Sequence, residues 1–272
     1  MTIAFACAIS HAPGMVAWVD KAPEPQRNAL FAGFERIRRQ MDEAHLDELI
    51  LFTSEHWANF FLNHISPYCI GRADAFVGPV EPWLKVEKKT IKGDPALAAQ
   101  MIAHCYENEV EPGYSYEMDF DHGTFIPLHF LRPEMDLPVV PIMINTLAAP
   151  QPSPRRCAKL GRLIGEIARQ SDRRIGLIAT GGMSHDPGEV GHGNIDTDFD
   201  QRFLTQMVDG DLDALSDYSV AELGKAGAGA IELLGWIGVA GALQSFKGKV
   251  VAYEAVEPWA SGIGAMTFTP LN

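Results

Sequence analysis

Four short, nearly unbroken apolar runs constrain this chain more than any other feature: Thr2–Ile9, Glu48–Thr53, Val139–Asn145 and Arg174–Thr180. A strand that is apolar at successive residues needs cover on both faces, as in a parallel sheet between two layers of helices. Helical periodicity separates the runs. Within Pro23–Ala44 it is carried by Leu30, Phe34, Ile37 and Met41, and Pro95–Glu107, Ser153–Gln170, Phe199–Val208 and Val220–Ala242 also read as helices. Lys249–Glu254 and Gly264–Thr269 read as closing strands. The alternation predicts an α/β fold: one domain over residues 1–272, with a central mixed β-sheet flanked by helices on both faces. Phe61–Gly93 is rich in loop signals (Pro67, Gly71, Gly78, Pro79, Pro82) and reads as an excursion over the active-site edge.

Charge narrows the partners. With 22 Lys and Arg against 35 Asp and Glu, the formal net charge is −13. Nucleic acid and anionic membrane surfaces both demand a basic face, so neither is expected as a partner. A small anionic substrate needs only one local cation, and no basic pocket residue is assignable from the sequence. The segment Met1–Gly14 is apolar without a basic flank and reads as a buried first strand, not a signal peptide. No apolar run reaches the roughly 20 residues that span a bilayer. Cys7, Cys69, Cys105 and Cys157 are widely spaced, with no Cys-x-x-Cys, and read as small buried hydrophobes. A reducing, cytoplasmic setting is expected.

The chemistry points to histidines at strand ends. His11 follows the first apolar run, His56 the second, and His185 follows Arg174–Thr180 through the turn Gly181-Gly182-Met183-Ser184. Ligands of open α/β sheets bind outside the carboxyl ends of the strands, so three such side chains mark a candidate site. His122 precedes the expected helix Phe125–Leu131, with Asp121 as a candidate cap. Glu232 is the only charge in the apolar, small-residue stretch Ala226–Trp236. A carboxylate there is costly to bury without a partner or a metal. His11, His56 and Glu232 supply two imidazoles and one carboxylate, the ligand set of a facial triad for non-heme Fe(II), and also ligand types that hold catalytic zinc. Dinucleotide, P-loop, His-Glu-x-x-His and nucleophile-elbow motifs are absent. His64 and His129 are weaker candidates, and His45, His104 and His192 belong to no constellation.

Five segments, in order, carry a resemblance: Ile9–Pro13, Ser54–His56, Asp121–Gly123 with Pro127-Leu128, Gly181–His185 and Ala230–Trp236. Through them the chain resembles the class III extradiol ring-cleaving dioxygenases, of the type of the protocatechuate 4,5-dioxygenase catalytic beta subunit. The resemblance implies His11, His56 and Glu232 as ligands of Fe(II), His185 as acid/base, and His122 as a hydrogen-bonding group toward substrate and oxygen. It implies oxidative meta cleavage of a catecholic acid, or related dihydroxylated aromatic, to a muconic semialdehyde-type product. Trp259 and Ser261 are expected to line the substrate pocket. A homodimer or larger assembly is implied, and some members carry a small capping subunit. Glu55 stands where Asp is usual. Glu257–Gly262 is more like the dihydroxyphenylpropionate branch, Tyr116–Asp119 more like the protocatechuate branch. Two other readings of the same residues stay open here: a zinc-dependent hydrolase, and a non-catalytic binding protein on the same fold.

Overall fold

In the predicted strands, alternate side chains go to opposite cores. The computed structural model describes residues 3–188 and 190–271; Thr2, expected to begin the first strand, lies outside them. Strand β1 (Ile3–Ile9) sends Ala6 and Ala8 to one hydrophobic cluster, Cys7 and Ile9 to the other. Strand β2 (Glu48–Ser54) divides Ile50 and Phe52 from Leu49 and Leu51 in the same way. This is why these segments carry no polar alternation.

The remaining strands are β3 (Tyr68–Gly71), β4 (Ala75–Gly78), β5 (Lys89–Lys92), β6 (Gly113–Ser115), β7 (Val139–Ile144), β8 (Ile175–Thr180), β9 (Phe246–Val256) and β10 (Ser261–Pro270). Eight form one mixed sheet in the order β6-β3-β7-β2-β8-β1-β10-β9. The central four, β7, β2, β8 and β1, are mutually parallel, while β3 and β10 join antiparallel on either side. The parallel register brings Ile9 beside Thr180, and Ser54 beside Ile144. Four carboxyl ends thus open on one edge.

The α-helices are α1 (Gly14–Ala17), α2 (Glu24–Glu43), α3 (Pro95–Glu107), α4 (His122–Leu131), α5 (Pro154–Gln170), α6 (Thr197–Asp209), α7 (Leu212–Asp217), α8 (Val220–Leu223) and α9 (Leu234–Leu243). Helices α3, α5, α6 and α9 supply the first cluster, and α2 and α4 cover the opposite face. Their starts follow from capping chemistry. Asp94 accepts from the Ala96 and Leu97 amides at 2.9 and 2.8 Å, and Asp196 accepts from Phe199 at 2.9 Å.

Two expectations need correcting. Val220–Ala242 is not one helix: α8 gives way to single 3₁₀ segments at Gly224–Ala226 and Ala228–Leu233 before α9 resumes. Glycines at 224, 227 and 229 weaken the backbone's helical preference there. Phe61–Gly93 is not only an excursion. It contains β3 of the main sheet and the separate β4–β5 pair, whose four-residue strands are too short to show periodicity. All four cysteines are free and buried. No helix among the described residues is long and apolar enough to cross a membrane.

Candidate active site

The strand ends deliver their histidines to one place. His11, His56, His122, His185, Glu232, Trp259 and Ser261 all line a single cavity of about 570 Å³. Every residue expected at the site is therefore gathered. His64 and His129 are not in its wall, and His104 is engaged elsewhere, 2.7 Å from Glu166. His192, expected to belong to no constellation, does line the cavity.

His11 and His56 meet nearly perpendicular, with ring centroids 5.1 Å apart at 86°. His56 Nε2 lies 2.9 Å from Glu232 Oε1, and His11 Nε2 lies 3.1 Å from Glu232 Oε2. The far nitrogens are occupied: His11 Nδ1 is 3.2 Å from Thr180 Oγ1, and His56 Nδ1 is 3.1 Å from Asp121 Oδ2. Such outer partners orient metal-binding imidazoles. His11 Nε2 is buried yet has no partner in hydrogen-bonding geometry. Two ligand atoms bonded to one ion at about 2.1 Å and a right angle lie about 3 Å apart, close to the spacing here. The donor set therefore fits a metal ion. His122 is a further nitrogen donor within reach: His11, His56 and His122 offer ring nitrogens within 4.8 Å of one another.

Electrostatics point the same way. Burial opposes ionisation of Glu232, but His11, His56 and His185 outweigh it and hold the carboxyl well below its ordinary range. Burial also opposes charge on His56, yet Asp121 and Glu232 together raise it well above its ordinary value. The buried carboxylates of Glu232 and Asp121 thus suit a cation beside His11 and His56. Metal and proton compete for such a site. His122 moves the other way: burial, then the neighbouring His56, lower its pKa.

Asp121 does two jobs. It caps α4 by accepting from Gly123 N at 2.8 Å, and it accepts from His56 N at 2.7 Å. His122 is accordingly the first residue of α4, not a residue before it. The turn before His185 has φ of +106° at Gly181 and +60° at Gly182. Trp236 Nε1 donates to Gly181 O at 3.1 Å, and His185 Nδ1 donates to Met183 O at 2.9 Å. Gly229 is needed where it stands, since a Cβ there would meet His185 Nε2 at 2.0 Å. Trp259 donates through Nε1 to Trp18 O at 3.0 Å and lies against Gly14. The Ser261 hydroxyl donates to Gly262 O at 3.0 Å. Glu55 turns away to accept from the Trp57 and Phe60 amides at 3.1 and 3.3 Å, fixing the loop after His56.

Three participants escaped the sequence reading. Glu81 accepts from both His122 N (3.0 Å) and His122 Nδ1 (2.7 Å); nothing in its loop marks it. Asp200, fully buried, accepts from Ser184 N at 2.9 Å, Ser184 Oγ at 2.8 Å and Tyr253 OH at 2.8 Å, bracing the residue before His185. Its signal was present: Asp200 shares the helical stripe of Phe203, Leu204 and Met207, so it is a carboxylate on an apolar face. Lys21 also lines the cavity.

Comparison with known proteins gives this geometry a context. A 2,3-dihydroxyphenylpropionate/2,3-dihydroxicinnamic acid 1,2-dioxygenase of Dechloromonas aromatica is 26% identical, over 95% of each chain. The enzyme of the same name from Xanthobacter autotrophicus is 26% identical over 99% of this chain and 100% of its own. A crystal structure of an uncharacterized Escherichia coli K12 protein shares the fold, with a TM-score of 0.63 at 15% identity over 97% of this chain and 98% of that one. The family described as the catalytic LigB subunit of aromatic ring-opening dioxygenase matches residues 5–264, a span holding every side chain gathered at the cavity, and this chain belongs to that family.

Proposed function

We propose that the chain, as one catalytic domain over residues 1–272, is an Fe(II)-dependent extradiol dioxygenase that opens a catecholic ring bearing an acid substituent. The observation that carries this is the approach of His11 Nε2 and His56 Nε2 to the two oxygens of Glu232, with each ring's other nitrogen already engaged. His11, His56 and Glu232 would hold the ion. Ring opening with dioxygen needs a redox-active ion, and zinc is not one, so this ligand set favours Fe(II). When bound, iron supplies the charge that acidifies the catechol hydroxyls and the electronic link between ring and dioxygen.

The protein's own groups handle protons and position. His185 commits Nδ1–H to Met183 O, which leaves Nε2 free to take a proton from a substrate hydroxyl and return it later. His122 commits Nδ1–H to Glu81, so its Nε2 accepts a hydrogen bond from the substrate side. Trp259 and Ser261 form the wall against the ring. A cavity of about 570 Å³ suits a single substituted ring. The reading includes a cytoplasmic setting and a homodimer or larger assembly. The exposed Trp57, Phe61 and Leu62, beyond His56, support an assembly in which a second chain covers this edge, whether another copy or a small capping subunit.

The test is dioxygen uptake by anaerobically Fe(II)-loaded protein against a panel of catechols, with a visible scan. Uptake of one dioxygen per ring, with a yellow product, is expected. No uptake across the panel with iron verified as bound overturns the proposal.

A further inference from the structure

Apart from the proposed ligand Glu232 and the histidines, the cavity wall carries, among the described residues, one residue with an ordinary formal charge, Lys21. Lys21 closes the 3₁₀ turn Val19–Lys21, directly after Trp18. Its ammonium sits 5.7 Å from the centre of the Trp18 ring, in cation–π range. That ring stacks on Trp83 at 5.8 Å and 5°, and the Trp18 carbonyl is held by Trp259. The lysine therefore stands on a braced aromatic platform. Among the described residues no carboxylate lies within 4.0 Å of it; its neighbour Asp20 is paired with Arg27 at 3.1 Å. An unpaired cation in the substrate cavity of a chain of net charge −13 is out of keeping with its surroundings. A protein this acidic repels anions at long range, so an anionic substrate requires such a point of attraction.

We infer that Lys21 is a specificity-determining residue that binds a carboxylate carried on the substrate's side chain, while the ring's hydroxyls face the histidines. This rests on the reading of the cavity as a catechol site. The relatives' printed names carry propionic and cinnamic acid side chains, but no residue of this chain is thereby assigned to hold one. The flexible lysine stem and the single point charge suit a carboxylate at the end of a mobile chain better than one fixed to the ring.

The experiment compares a catechol bearing a propionate side chain with its methyl ester, on the Fe(II)-loaded protein. Binding is measured anaerobically by calorimetry, turnover by dioxygen uptake. The variants are Lys21→Met and Lys21→Arg; the residue is exposed, so both fold. The wild type is expected to prefer the acid about tenfold in Kd, as for one charge-assisted contact. Lys21→Met should lose most of that preference, and Lys21→Arg should keep it. Raised ionic strength should shrink it. A preference that survives in Lys21→Met, or is missing from the wild type, overturns the assignment. Uptake with both compounds but no preference sinks Lys21 and leaves the dioxygenase standing. A Lys21-dependent binding preference without uptake sinks extradiol cleavage and leaves Lys21 standing. Binding of neither compound overturns both.

Discussion

His185 Nε2 lies 3.9 Å from Glu232 Oε2, yet the loss of each side chain should have a different effect. Glu232→Ala removes the one carboxylate that, among the described residues, approaches both His11 and His56, so the purified variant should lose tight metal binding altogether, as metal analysis after dialysis would show. A stoichiometric ion in that variant would remove Glu232 from the ligand set. His185→Ala touches no proposed ligand bond. It should keep its metal and lower kcat by roughly 10²–10⁴, the usual span for a lost acid/base; unchanged turnover would strike His185 from the mechanism. Glu81→Gln leaves His122 with a partner but without its charge. A modest fall in kcat, on the order of tenfold, with metal content retained, would support Glu81 as the group that orients His122.

At the scale of elements, α5 and α9 pack backbone against backbone. A Cβ on Gly161 would meet the Gly238 carbonyl oxygen at 1.9 Å, a backbone atom with no room to retreat. Gly161→Ala should therefore cost about 2 kcal/mol of unfolding free energy in a urea titration, as overpacking does. An unchanged midpoint would show that the helices slide apart freely. Much of this layer was legible in the sequence. Pro95–Glu107 matches α3 at both ends, and the four apolar runs became the central parallel strands to within a residue or two over their described lengths. Strands β3 to β6 were not, because strands of three or four residues among prolines and glycines leave no period to read. The site was legible where chemistry and position coincided: a histidine after a buried strand, or one charge in an apolar stretch. Glu81 and Lys21 were not legible because their meaning lies in what the fold sets beside them, whereas Asp200 did leave a signal, a carboxylate on the apolar stripe of α6.

Across the whole molecule, pH should act through the end of the sheet opposite the site as well as through the histidines. Burial pushes the Glu48 carboxyl from an ordinary 4.5 up to about 7, against the opposing pull of Arg173 at 2.8 Å. Folded Glu48 thus keeps its proton where the unfolded chain has lost it. The penalty is absent below about pH 4.5, grows as pH rises, and is complete above about 7. Compared with Glu48→Gln, the wild type should lose about 2–3 kcal/mol of stability between pH 4.5 and 8. A constant difference between the two proteins over that range would refute this account.

The order of the sheet has a consequence in time. β1, which leads to His11, lies between β8 and β10, and β10 is the last strand of the chain. Glu232 and Ser261 also come from the final fifth of the sequence. A growing chain emerging from the ribosome therefore carries His11, His56, His122 and His185 long before it has the carboxylate that draws two of them together. The proposed metal centre thus stays without its carboxylate until residue 232 has been made, and the half-built site holds only its imidazole ligands.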